Sequence, residues 1–157
     1  MNFKKIITLL LAFMLCLSFV ACTDVSDSQT GSKPEEISFK EKVFVDNENC
    51  TFKITGVDPD SFWGYTLNAE LENKTDKNLM FSLKDVSVNG YMCDPFWATD
   101  VQSGKKAKSD ISFMEDSLKE VGVEKVEEIE FTLRVYDEDD FMAPEIISET
   151  FTYVIGE

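Results

Sequence analysis

Residues 128–137 read Glu128-Ile129-Glu130-Phe131-Thr132-Leu133-Arg134-Val135-Tyr136-Asp137, and their alternation decides the fold. Ile129, Phe131, Leu133 and Val135 fall on one side of an extended chain, and Glu128, Glu130, Thr132 and Arg134 on the other. A period of two is the signature of a half-buried β-strand, because successive side chains point to opposite faces. The same period recurs outward from this stretch. Tyr65, Leu67, Ala69 and Leu71 alternate with Thr66, Asn68, Glu70 and Glu72, stopping at the polar Asn73-Lys74-Thr75-Asp76. Cys50, Phe52 and Ile54 alternate with Thr51, Lys53 and Thr55, followed by Gly56 and a turn expected at Asp58-Pro59-Asp60. Leu79, Phe81 and Leu83, then Val86 and Val88, lead into the turn dipeptide Asn89-Gly90. Ile111 and Phe113 predict a short strand, and Phe151, Tyr153 and Ile155 a last one.

A helix is expected only over Asp116–Val121, with Asp116 as its N-cap and Gly122 as its stop. Six to eight short strands separated by turn signals predict an all-β fold, an antiparallel β-sandwich with one short helical turn. A closed barrel is the alternative. Either architecture hosts many unrelated activities and names none of them.

The N-terminus carries different information. Lys4 and Lys5 precede an apolar run, Ile6 to Val20, that is interrupted by Thr8 and Ser18. A spanning helix needs about 20 apolar residues, and this shorter run is followed by polar rather than positive residues. A secretory signal peptide is therefore expected over residues 1–21. Phe19-Val20-Ala21-Cys22 resembles the bacterial lipobox, with Phe19 where Leu is usual. That resemblance implies cleavage before Cys22, thioether diacylation of its sulfur and retention at the extracytoplasmic face of the cell membrane. Two or three acyl chains hold a protein stably where one is marginal. Residues 22–38 are rich in Ser, Thr, Asp, Glu and Gly, with too little to bury to offset the cost of ordering, and read as a flexible tether. Residues 39–157 read as the folded domain, expected to be monomeric.

The whole chain has net charge −15. Without residues 1–21, and hence without Lys4 and Lys5, it has 13 basic residues against 30 acidic ones, a net −17. Such a surface repels nucleic acid and anionic headgroups, so no nucleic-acid partner is expected.

Four stretches carry a family resemblance: Glu72-Asn73-Lys74-Thr75-Asp76-Lys77, Val88-Asn89-Gly90-Tyr91, Ser103-Gly104-Lys105-Lys106 and residues 129–137. Together they resemble the immunoglobulin-like (telokin-like) domains of unknown function found in secreted Firmicute lipoproteins, over roughly residues 40–155. The resemblance implies an immunoglobulin-like sandwich, an exported lipoprotein, a turn between two strands at 72–77, and a turn at 103–107 feeding a strand that ends at a short helix or loop. It implies no catalytic residues.

The chain contains no histidine, which removes Ser-His-Asp and Cys-His catalysis and every His-containing zinc site. Cys50 and Cys93 are the cysteines of the domain. Both fall in strand or strand-edge context in an exported chain, so a disulfide between them is expected, with two buried thiols as the alternative. Asp137, Asp139 and Asp140 are weak calcium candidates; the EF-hand spacing is missing and a solvated turn is the plainer reading. The same acidic loop residues would serve a hydrolase, which needs two carboxylates of raised pKa in one cleft. Aromatic residues cluster at Phe62-Trp63-Gly64-Tyr65 and at 91–97. Core filling is the first expectation for them. If a binding patch for a protein or carbohydrate exists, it is Trp63, Tyr91, Phe96 and Trp97. Asn49-Cys50-Thr51 and Asn73-Lys74-Thr75 match the glycosylation sequon, but turn asparagines are expected there. The expected function is thus a membrane-anchored, non-enzymatic binding or accessory module with no cofactor; the alternatives are a hydrolase and a calcium-stabilised surface module.

Overall fold

The computed structural model describes residues 39–140 and 142–156; the expected signal peptide, Cys22 and the expected tether lie outside the described residues. The alternation becomes nine strands in two antiparallel sheets, with their apolar faces turned toward one another. Among the described residues the strands are β1 (Lys42–Asp46), β2 (Cys50–Ser61), β3 (Gly64–Asn73), β4 (Leu79–Val88), β5 (Tyr91–Met92), β6 (Ala98–Val101), β7 (Lys106–Phe113), β8 (Glu128–Asp137) and β9 (Ile147–Val154), with one helix, α1 (Glu115–Glu120). The first sheet runs β1-β2-β3-β7 and the second β5-β4-β8-β9, with β6 also paired to β4. When β2, β3 and β7 are taken as strands A, B and E, and β4, β8 and β9 as C, F and G, this is the immunoglobulin Greek-key order. The described residues form an all-β immunoglobulin-like sandwich and not a barrel: the strand pattern predicted the sandwich, and the family resemblance its immunoglobulin-like character.

The alternating apolar residues supply the core. Phe52, Ile54, Leu67, Leu71 and Ile111 from one sheet and Leu79, Phe81, Ile129, Phe131, Leu133 and Val135 from the other are essentially without exposure. Phe44, on the edge strand β1, closes this core at one side. Its ring lies 5.2 to 5.9 Å from the rings of Phe52, Phe131, Phe151 and Tyr153, in the tilted and edge-on arrangements that aromatic quadrupoles favour.

Three expectations are corrected. Asp58-Pro59-Asp60 is not the turn: β2 continues through it to Ser61, and the reversal falls at Phe62-Trp63. Proline is tolerated because the β2–β3 register shifts between Asp58 and Ser61, leaving Pro59 outside the regular ladder. The helix begins at Glu115, with Met114 rather than Asp116 at the N-cap and no side-chain cap bond. Gly122 is indeed its stop, because the N–H groups of Gly122 and Val123 donate to the carbonyls of Lys119 and Leu118, a Schellman closure. The strand around Ile111 starts as early as Lys106, and β1, β5 and β6 had no counterpart in the expected list.

The two turns named by the family resemblance lie where it placed them. Residues 74–78 connect β3 to β4, and residues 102–105 lead into β7, which runs into α1. These connections give the sandwich two unlike poles. At one pole lie the end of β3, the start of β4 and the end of β8. At the other lie the β2–β3 turn, the end of β7 with α1, the Asn89-Gly90 turn and the segment 91–97.

Candidate functional site

Among the described residues, the second pole carries most of the large exposed apolar side chains, Val43 on β1 and Met142 on the β8–β9 connection being exposed elsewhere. Phe62 is 89% exposed, Trp63 68%, Phe96 91% and Met114 61%, with Tyr91 and Met92 also open to solvent. The fold determines this exposure locally. Phe62 and Trp63 occupy the two tip positions of the β2–β3 reversal, where neither side chain has a sheet face to pack on. The Ser61 hydroxyl accepts the Trp63 N–H at 3.2 Å. Gly64 completes the turn at φ 105°, and a Cβ there would stand 2.2 Å from the Phe113 carbonyl oxygen. Only glycine allows the tip to approach β7 so closely.

Phe96 is held out by a different device. Its N–H donates to the Asp94 carboxylate at 2.7 Å, and its backbone sits at φ 50°. A left-handed conformation is a genuine outlier for a bulky residue and costs about 1–2 kcal/mol. The adjacent Trp97 has the opposite fate. It is 8% exposed, lies 6.1 Å ring to ring from Phe52 and donates its indole N–H to the Ser109 hydroxyl at 2.9 Å. Between the β2–β3 tip and this segment lies a cleft of about 260 Å³, lined principally by Trp63, Phe96, Trp97 and Met114, with Asp110 and Ser112 from the outer strand β7. Asp110 is exposed, and one of its oxygens accepts the Asn68 amide at 2.9 Å.

Of the four expected patch residues, Trp63 and Phe96 come together on this cleft, Trp97 belongs both to the cleft and to the core, and Tyr91 stands at the same pole outside the lining. Core filling, the first expectation, holds for Trp97 and fails for Trp63, Tyr91 and Phe96. Phe62, Met92 and Met114 were missed. Phe62 had a signal, since it stands two residues before a glycine that ends a strand pair. Met114 had none: its position depends on β7 reaching the helix without a linker.

The expected Cys50–Cys93 disulfide is not formed; both are buried free thiols. Cys50 pairs with Asn73 at the first pole, whereas the Cys93 N–H bonds Val86 near the far end of β4. Leu79 to Val86 alone spans roughly 20 Å of strand, and a disulfide needs Cα atoms within about 7 Å. Burial pushes the Cys50 thiol up to about 11, and burial followed by the Asp94 charge raises Cys93. Neither is a reactive thiolate.

The acidic loop after β8 is also structural. Lys77 Nζ donates to Asp137 Oδ2 at 2.7 Å, and the Asp139 N–H to Asp137 Oδ1 at 3.0 Å. These bonds, that from Lys77 foremost, hold the Asp137 carboxyl below the usual carboxylate range, the opposite of what a general acid requires. Asp140 accepts the Met142 N–H and Asp139 the Asn78 amide. Among the described residues no group of three or more His, Cys, Asp or Glu side chains is placed to hold a metal ion. Asn73, of the second sequon, is a buried turn asparagine. Its amide donates to the carbonyls of Lys77 and Val101, and its oxygen accepts from the Thr75 N–H and hydroxyl.

The sequence matches no family model and no curated protein. Among solved structures it is similar to the GAE domain of GGA2p from Saccharomyces cerevisiae, at 9% identity and a TM-score of 0.39, covering 75% of this chain and 98% of that one.

Proposed function

We propose that this chain is an exported, lipid-anchored bacterial protein whose sandwich is a non-enzymatic binding module, taking a protein partner at its aromatic pole. The observation that carries the binding reading is Phe96, a nearly fully exposed phenylalanine held in a left-handed conformation beside exposed Trp63. Strain and an exposed ring both oppose stability, and such features cluster where function requires them. Anchoring rests on Phe19-Val20-Ala21-Cys22, and the polar residues 23–38 would let the domain stand away from the membrane.

Two experiments test the two halves separately. Palmitate labelling and detergent-phase partition of the chain are expected to vanish in Cys22→Ala; unchanged labelling would remove the anchor. A photo-crosslinking amino acid placed at position 63 or 96 in living cells is expected to give one discrete adduct that the exposed position 142, on the β8–β9 connection, does not. No adduct, or the same adducts from all three positions, would remove the binding pole.

A further inference from the structure

The cleft beside Trp63 combines two chemistries, and the combination restricts what can enter it. Trp63, Phe96, Trp97 and Met114 provide aromatic and thioether surface, while Asp110 provides a carboxylate at the same opening. The Asn68 amide engages one oxygen of that carboxylate, and a purely apolar occupant would strip water from the other without replacing it, which is costly. A carboxylate or phosphate would meet it as a like charge. An alkylammonium or guanidinium head satisfies both walls at once, since aromatic faces attract cations and the carboxylate pairs with them. We infer that the cleft receives a lysine or arginine side chain of the partner protein, an inference that rests on reading this pole as the binding surface.

Three further observations bear on the occupant. The first is charge complementarity, because the domain surface is strongly acidic. Asp58, Asp60, Asp94 and Asp116 all belong to the same pole and are exposed, while Lys119 of α1 is paired with Glu115. A basic partner is steered toward such a surface, whereas an anionic membrane is repelled. The second is the disposition of the cations on β7. Lys106 is paired with Glu72 at 3.2 Å, and Lys108 stands opposite Glu70 in the β3–β7 register, an acid that also pairs with Lys53 at 3.4 Å, so both cations of β7 face acids across the ladder. The third is extent. Phe62, Tyr91 and Met92 are exposed at this pole outside the cleft, which is more apolar surface than a free amine would cover and points to a macromolecule carrying the cation.

Both tryptophans of the chain line the cleft, so tryptophan fluorescence, excited selectively over tyrosine in the full chain in detergent, reports on this site. Tetramethylammonium chloride and the peptide acetyl-Ala-Lys-Ala-amide are expected to quench it saturably. The neutral alcohol 3,3-dimethylbutanol is expected to leave it unchanged. Asp110→Asn keeps an acceptor for the Asn68 amide and removes the charge. It is expected to weaken both cations about fivefold, the scale of an exposed ion pair. Equal quenching by the alcohol would overturn the cation inference and leave the binding pole standing. Silence toward all three probes would also overturn it, while the crosslinks at 63 and 96 decide the broader reading independently. A peptide that binds no more tightly than tetramethylammonium would overturn the assignment to a protein side chain. A blue shift with phosphatidylcholine vesicles and no response to the cations would assign the pole to the membrane instead.

Discussion

Phe96 and Trp97 are consecutive aromatic residues with opposite predicted energetics. Phe96 has less than a tenth of its surface covered, so removing its ring forfeits roughly 20 Å² of burial, about 0.5 kcal/mol. Replacement by glycine also relieves a left-handed backbone worth about 1–2 kcal/mol and adds unfolded-state entropy of about 0.5–1 kcal/mol. Phe96→Gly is therefore expected to leave stability within about 1 kcal/mol of the parent, and the strain term can even make it the more stable protein. Trp97→Ala removes a buried indole packed on Phe52 and leaves the Ser109 hydroxyl without its indole donor. Truncations of this kind cost about 3–5 kcal/mol, a large share of the roughly 5–15 kcal/mol that holds a domain folded. Urea unfolding followed by far-UV circular dichroism measures both, and unchanged m-values confirm that the comparison is of stability. A loss above about 2 kcal/mol in Phe96→Gly would mean that the ring is packed in solution, and the binding reading would lose its main support. A loss below about 1 kcal/mol in Trp97→Ala would refute the placement of that indole.

Other residues yield shorter tests. Asn73→Ala is expected to cost about 2–3 kcal/mol in the same urea assay, because it strands the buried Val101 carbonyl and opens the 74–78 connection. Asp137 titrates below the ordinary carboxylate value when folded, so its contribution is present above about pH 4 and lost as pH falls through the lowered value. Asp137→Asn should accordingly flatten the acid limb of the stability–pH curve below about pH 4; an unchanged limb would mean that the Lys77 pair contributes nothing. Alkylation followed by peptide mass spectrometry should find Cys50 and Cys93 modified without reductant once the chain is denatured and largely unmodified when native; a bridged peptide would restore the disulfide.

The sheets were legible in the sequence because a half-buried strand writes its burial every second residue. Ile129, Phe131, Leu133 and Val135 are all core, and the same holds for Leu67, Ala69 and Leu71. β1, β5 and β6 were not legible, since they are short strands at sheet edges whose burial is too irregular to form a period. The aromatic pole was half legible. Composition marked 62–65 and 91–97 as aromatic, but nothing local distinguishes Phe96, turned out by a bond to Asp94, from Trp97, turned in toward Phe52. That difference depends on the backbone angle at one residue and on a serine twelve positions away, and no periodicity records either.

The unlike chemistry of the two poles is the reason the proposed binding surface is placed at one and not at the other. At the first, the polar side chains spend their hydrogen-bonding capacity inward. Asn73 ties its own connection to Lys77 and to Val101, Ser103 bonds the Thr75 carbonyl, and Lys77 reaches Asp137 across the second sheet. Groups already engaged with one another offer little to a partner, and removing any of them costs stability. At the aromatic pole the bonds that shape the segments run from backbone to short side chains, Trp63 N–H to Ser61 and Phe96 N–H to Asp94; the Trp63 ring meets the neighbouring Phe62 ring edge-on at 5.0 Å, and both it and the Phe96 ring stay open to solvent. Rigid backbone with free side chains lowers the ordering cost of association. The same division means that substitutions at Trp63 and Phe96 should change binding with little effect on folding, while those at Asn73 should change folding first. A variant pair that reversed this order would show that the two poles have been assigned the wrong way round.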